Sequence, residues 1–372
     1  MSAVLSRLAG RGRPGAGVVS GGESGGLLIV LALVVVLFGT LSDRFLSVAT
    51  ATSIGFQLPE LALLTLAMLI PILSGGLNLA ITFSANISAL VLAWVLQAGG
   101  GMDASLGVFA LGVLAALASG AVIGGVMGLV IAYTGAHPIL VSLSMMIFLR
   151  GLGEFLTRGG DVSGFPPYVV ALGQGTLGGV PVPLFVMLGA VLVWILVLRR
   201  TRLGFAIHML GSNPEATRYS GVDVRRALTL TYVLSGVMCA VAGMVMLTRF
   251  NSVRVGHGES YLLIAVLACF LGRVDPFGGF GRVVPVVIAL VILQTIGSGL
   301  NLLGTNQHLA TALWGAILVL VMVVRFAWAT LRTRVSARRP APVTAPPAID
   351  PTSSSTTPTT RAAPSPSTET TS

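Results

Sequence analysis

Between Ala104 and Leu149 the chain carries no aspartate, glutamate, lysine or arginine. A helix needs about 20 apolar residues to cross the hydrocarbon core of a bilayer, so this run is long enough for two crossings. Its middle, Gly135-Ala136-His137-Pro138, holds the glycine and proline that end helices. The rest of the sequence has the same character: 54% of residues are hydrophobic and only 9% are charged, against roughly 25% charged in a typical soluble domain. Mean hydropathy is +0.93. The chain therefore reads as an all-α polytopic membrane protein.

Other charge-free intervals divide in the same way. Ser24 to Ser42 is expected to be an uncleaved first span, since no small-residue cleavage site follows its apolar run. Leu61 to Met102 makes two spans broken near Ser74-Gly75-Gly76, and a Gly/Pro-rich stretch covers Gly159 to Pro183. Further spans run to about Leu198, from Ala227 to Thr248 and, as a short one, from Ser260 to Gly272. Val283 to Val324 is a last pair, interrupted by Gly297 to Gly304. The expectation is about ten transmembrane helices, some short or Gly-broken, with both termini cytoplasmic.

Charge supports that topology through the positive-inside bias. With the amino terminus inside, sixteen arginines fall on inside segments (Arg7, Arg11, Arg13, Arg199, Arg200, Arg202, Arg218, Arg225, Arg226, Arg273, Arg282, Arg325, Arg332, Arg334, Arg338 and Arg339). Only Arg44, Arg158, Arg249 and Arg254 fall outside. The net charge of +10 is thus topological charge, and no nucleic-acid partner is expected. Residues 1–23 are assigned to a cytoplasmic N-terminal segment and 24–328 to the transmembrane domain, with a cytoplasmic loop at 199–226. The Pro/Ser/Thr-rich residues 329–372 have the composition of a disordered cytoplasmic tail.

All 22 basic residues are arginines. Without lysine there is no G-x-x-x-x-G-K-[ST] phosphate loop, so ATP hydrolysis cannot reside in these residues. Cys239 and Cys269 lie in apolar segments without C-x-x-C spacing, and His137, His208, His257 and His308 are scattered. No metal site, cofactor or catalytic constellation is expected.

One polar element stands out in the longest inside loop, Gly211-Ser-Asn-Pro-Glu-Ala-Thr-Arg-Tyr-Ser-Gly221, followed by Asp223, Arg225 and Arg226. Asn213 suits an N-cap, Pro214 the first helical position, Glu215 the positive helix end, and Gly221 a left-handed stop. These predict a helix of about seven residues. So short a helix is marginal alone in water, so it rests on lipid headgroups or its own bundle, or it couples to a cytoplasmic partner.

This stretch, with Tyr232-Val-Leu-Ser-Gly236, Ala242-Gly243, Ser74-Gly-Gly-Leu-Asn-Leu79, Arg150-Gly151, Thr157-Arg-Gly-Gly160, Gly173-Gln-Gly175, Gly278-Gly279 and Gly299-Leu-Asn-Leu-Leu-Gly304, resembles bacterial ABC importer permeases of the ribose and simple-sugar type. The resemblance runs from about Gln57 to Arg325. Departures are Asn78 where that family commonly has aspartate, Ala80 to Asn86 in place of a Ser-Val-Gly block, and Gly272-Arg273 where two glycines are common. It implies a multi-pass subunit of the bacterial inner membrane, paired with a second permease subunit as homodimer or heterodimer. Also implied are an ABC ATPase subunit carrying ATP and magnesium, an extracytoplasmic solute-binding protein, and a monosaccharide or similar small polar solute moved by alternating access. Asn213, Pro214, Glu215, Ala216, Arg218 and Gly221 would then form the coupling helix to the ATPase.

Polar residues within spans are candidates for the translocation path: Gln57, Asn78, Ser84, Asn86, Gln294 and Asn301. Each can equally be glue between helices. Arg150 and Glu154, four apart, are expected to form an interfacial ion pair. Gly120, Gly124 and Gly128 read as close helix packing. An ion-coupled secondary carrier is the competing class, and it would need acids inside the spans, which this reading finds only at Glu154. Nucleosides, autoinducer-like furanoses and branched-chain amino acids are alternative cargo within the ABC class.

Overall fold

The computed structural model describes residues 22–306, 309 and 312–323. The segment before Gly22 and the tail from residue 329 lie outside the described residues. Helices dominate: α1 (Gly22–Leu41), α2 (Val48–Leu73), α3 (Ile81–Ala98), α4 (Leu106–Thr134), α5 (Pro138–Thr157), α6 (Pro167–Gln174), α7 (Val182–Arg200), α8 (Arg202–Ser212), α9 (Pro214–Tyr219), α10 (Val224–Phe250), α11 (Tyr261–Leu271) and α12 (Val283–Leu302). A thirteenth, α13, covers Ala312–Val323. Two tiny antiparallel ladders join β1 (Val162–Ser163) to β4 (Ser252–Val253) and β2 (Thr176–Leu177) to β3 (Val180–Pro181).

Among the described residues seven helices, α2, α3, α4, α5, α7, α10 and α12, are long and apolar enough to cross a membrane. Three shorter apolar helices, Gly25–Leu41, Tyr261–Leu271 and Ala312–Val323, occupy the places of the other expected spans. The helix breaks at Ser74–Gly76 and Gly135–Pro138 fall where glycine and proline predicted them.

Helix α2 is the axis of the domain: it is buried over nearly all of its apolar length, whereas α4, α5 and α7 are mostly exposed. It packs against α10, α11, α12 and α7. Lipid tails are as apolar as leucine, so helices associate in a bilayer through close packing and hydrogen bonds rather than hydrophobic burial. The seam between α4 and α10 illustrates this. A Cβ on Gly120 would strike the Gly236 carbonyl oxygen, one on Gly236 the Gly120 carbonyl, and one on Gly124 the Tyr232 carbonyl. Backbone lies on backbone there, as the glycine spacing predicted.

Four features differ from the sequence reading. First, α2 starts at Val48 rather than Leu61. Ser47 caps it by accepting from the Thr50 amide at 3.2 Å, and the helix runs straight through Glu60, whose carboxylate Oε1 lies 2.8 Å from an Arg249 guanidinium nitrogen. A paired charge need not end a span. Second, Arg249 belongs to the last turn of α10 and not to an open loop. Third, α12 is not interrupted at Gly297: it continues to Leu302, and Gly299 leaves the room that the Phe38 ring of α1 fills. Fourth, the segment 199–226 holds an additional helix, α8, which buries Ala206, Ile207 and Leu210 and is capped by Thr201 accepting from the Gly204 amide at 3.1 Å.

Two ends of the bundle are distinct. At one, the Gly279 amide donates to the Leu73 carbonyl at 2.8 Å, and Gly211 is wedged against both, with no space for a side chain. The α2–α3 turn, the end of α8 and the 275–281 loop meet at this junction. At the other end, the β1–β4 ladder ties the segment after α5 to the end of α10.

Candidate functional site

The α9 element at the first end is built as its sequence predicted, one residue shorter. Asn213 Oδ1 accepts from the Ala216 amide at 3.0 Å, Pro214 takes the first helical position, and Gly221 follows with φ of 79°. Its one buried side chain is Thr217, whose hydroxyl donates to the Asn213 carbonyl at 2.7 Å. Asp223 pairs with the Arg226 guanidinium at 3.0 Å and caps α10 by accepting from the Arg226 backbone amide at 3.1 Å. Glu215, Ala216 and Arg218 are exposed. Glu215 and Arg218 have no ion-pair partner among the described residues. Tyr219 is 90% exposed beside them. The arrangement is a capped, exposed helix whose Glu215 and Arg218 charges face outward, joined through α8 to the end of the central helix.

The six polar residues considered for the path separate. Gln57 and Gln294 meet: Gln294 Nε2 donates to Gln57 Oε1 at 2.9 Å, and Gln57 Nε2 donates to Ser53 Oγ at 2.9 Å. Asn78 is fully buried. It donates to Ser235 Oγ at 2.9 Å and accepts from the Ala80 amide at 3.0 Å, while Ser235 donates to the Ala67 carbonyl at 2.7 Å. That network fastens the α2–α3 turn to α10 and to α2. Asn86 donates to the His257 carbonyl at 3.2 Å. Ser84 Oγ is buried with no hydrogen-bond partner among the described residues. Asn301 is exposed in the last turn of α12.

The group the sequence reading missed is Glu60 with Arg249. Glu60 has no exposed surface, the Arg249 side chain is 20% exposed, and Tyr261 donates a long hydrogen bond, 3.4 Å, to the other carboxylate oxygen. The 2.8 Å contact is off the hydrogen-bond direction, so the pair is held by charge rather than by an aligned donor. Arg249 lies at the wall of an open cavity, a groove of about 680 Å³ lined also by Val48, Ala49, Thr52, Ser53, Phe56, Gln174 and Phe250. An ionisable side chain within a span marks function by default. Glu60 also removes the premise that Glu154 is the only acid within the spans.

Arg150 and Glu154 form the expected ion pair at 3.1 Å, and Arg150 reaches Glu259 at 3.3 Å. They rim a second groove of about 520 Å³ with Arg254, His257 and Tyr261. Burial holds the His257 imidazole below the usual histidine range, partly offset by Asp161 nearby. Among the described residues no three histidine, cysteine or acidic side chains gather as a metal site would require.

A family model for the permease component of branched-chain amino acid transport systems matches residues 50–322. The chain belongs to this family. Autoinducer 2 import system permease proteins LsrD are among its relatives: that of Yersinia enterocolitica is 29% identical over 305 residues, covering 80% of this chain and 90% of the relative. Those of Yersinia pseudotuberculosis and Yersinia pestis are 28% identical over the same length and share of each chain. No solved structure matches. The protein is thus a multi-pass permease subunit of an ATP-driven importer, a transporter component rather than an enzyme.

Proposed function

We propose that this permease imports a furanose-like or other simple sugar across the bacterial inner membrane, as one of two permease subunits above an ABC ATPase, receiving solute from an extracytoplasmic binding protein. Residues 24–328 form the membrane domain, with ten spans and both termini inside, and 199–226 carries the coupling segment. The observation that carries the reading is α9: a capped helix whose Glu215 and Arg218 have no ion-pair partner among the described residues, joined through α8 and the Gly211–Leu73–Gly279 junction to the foot of the central helix. Movement of a docked ATPase at α9 would pass through that junction to α2. The relatives' autoinducer 2 import supports a sugar-like cargo over an amino acid. Glu60 is the acid an ion-coupled carrier would use, but its charge is already matched by Arg249.

Reversing both charges, Glu215→Arg with Arg218→Glu, is expected to leave stability within about 1 kcal/mol of wild type, the size of exposed helix-end charge interactions. The same variant should lose co-purification of the ATPase and solute-stimulated ATP hydrolysis in the assembled transporter. Normal assembly and hydrolysis would make α9 a plain surface helix.

Topology is tested separately. Cys239 and Cys269 are buried, so a cysteine at Gly160 should label with an impermeant thiol reagent in intact cells, and one at Ser220 only after permeabilisation. The opposite pattern would invert the bundle and remove α9 from the ATPase side.

A further inference from the structure

The cavity above the Glu60–Arg249 pair carries more than a structural ion pair needs. Its polar groups converge and keep hydrogen-bonding capacity in hand. Ser53 Oγ accepts from Gln57, so its own proton is free to donate. Thr52 donates to the Val48 carbonyl at 2.8 Å and can still accept. Gln174 donates through Nε2 to the Arg249 carbonyl at 2.9 Å, which turns its amide oxygen loose. The Arg249 guanidinium lies 5.0 Å from the centre of the Phe250 ring, and Phe56 lines the same cavity.

We infer that this cavity is a binding site for a neutral polyol of pentose size, a site that rests on the sugar-import reading above. Small-molecule sites are concavities of about 300–1,000 Å³ with apolar walls and a few placed polar groups; this groove has the volume and both kinds of lining and is open along one side, where Val48, Ala49 and Ser53 are exposed. The charge state selects the ligand class. Arg249 alone would attract an anion, but the buried Glu60 carboxylate cancels its charge at 2.8 Å. What remains is a set of donors and acceptors, matching hydroxyl groups that do both, with two aromatic rings to cover sugar C–H faces. Glu60 acts as a positioning residue: it fixes Arg249 and does not touch the solute. Gln57 and Gln294, bonded to each other next to Ser53, are the next polar station along α2.

The test uses the full chain in lipid vesicles with Ala49→Cys, a cavity-lining position, and a charged thiol reagent; D-ribose, L-arabinose and D-xylose are the probes. Labelling should slow by about tenfold when the bound pentose is at roughly ten times its Kd. The double variant Glu60→Gln/Arg249→Gln keeps a neutral polar pair in place. It should fold and label normally, yet need about tenfold more pentose for the same protection, the loss of one charged hydrogen bond. Gln174→Ala should shift protection in the same direction. If the assembled transporter imports a pentose that leaves Ala49→Cys labelling unchanged, the site is wrong while the sugar reading stands. If it imports none of the three, this inference is overturned, whereas the sugar reading falls only when the assembled transporter takes up no simple sugar at all. Labelling that is blocked without pentose and restored by delipidation would make the cavity a lipid pocket and overturn the inference.

Discussion

Replacing Arg249 by alanine is expected to destabilise the permease by about 3–5 kcal/mol, the cost of stripping one partner from a buried ion pair. Glu60 has no exposed surface and is surrounded by the apolar core of α2. Among the described residues its carboxylate meets the Arg249 guanidinium at 2.8 Å and a 3.4 Å contact from Tyr261. Without Arg249 it must lie charged in a low-dielectric bundle or take up a proton. The measurement is the thermal melting of the purified chain in detergent. Arg249→Ala should melt well below wild type, and Glu60→Gln/Arg249→Gln should recover most of the loss, because replacing both charges leaves neither unpaired. The non-additivity of the two sites is the signature of direct coupling. A wild-type melting curve for Arg249→Ala would mean that water reaches Glu60.

Gly236→Val should have a comparable effect for a steric reason. Any Cβ at this position enters the space of the Gly120 carbonyl and crowds the Gly124 amide. The obstacle is backbone on a neighbouring helix, so no rotamer relieves it. Separating α10 from α4 would also pull α10 from α2 and α3, which it packs against on its other sides. Overpacking of a side chain costs about 1–3 kcal/mol where neighbours can shift, and here they cannot shift without opening the seam. The expected result is little folded protein in the membrane. Gly189→Val is the comparison, because a Cβ there meets nothing within 4 Å. It should stay within about 0.5 kcal/mol of wild type. Equal expression of both variants would show that the α4–α10 contact is not the close approach described.

Much of the architecture could be read from residues whose effect is local. Gly135 and Pro138 end and begin helices wherever they fall, and the Asn213 cap depends on a backbone amide three residues away. What escaped depends on contacts far apart in the chain. Glu60 was treated as the boundary of a span because a charge alone cannot sit in hydrocarbon, and its partner Arg249 comes from another helix. Gly297 and Gly299 read as a break, yet a glycine inside a helix is also how one helix admits a neighbour's ring, here Phe38. Helix α8 was hidden by Arg202 and His208 in a short segment whose apolar residues face the bundle. Of the path candidates, Gln57 and Gln294 come together, whereas Asn78 spends its hydrogen bonds on packing. Side-chain polarity inside a span identifies a constrained position, and only the fold separates glue from path.

The central claim is that energy enters through α9 from a partner ATPase and leaves as solute movement in the membrane domain. Its most direct test is uptake of radiolabelled pentose into vesicles holding the permease with its ATPase, with the solute-binding protein outside. The account predicts uptake that requires ATP on the ATPase side and the binding protein on the other, that is unaffected by collapsing proton and sodium gradients, and that is lost in Glu215→Arg/Arg218→Glu. Uptake by the permease alone, driven by an ion gradient without ATP, would contradict it.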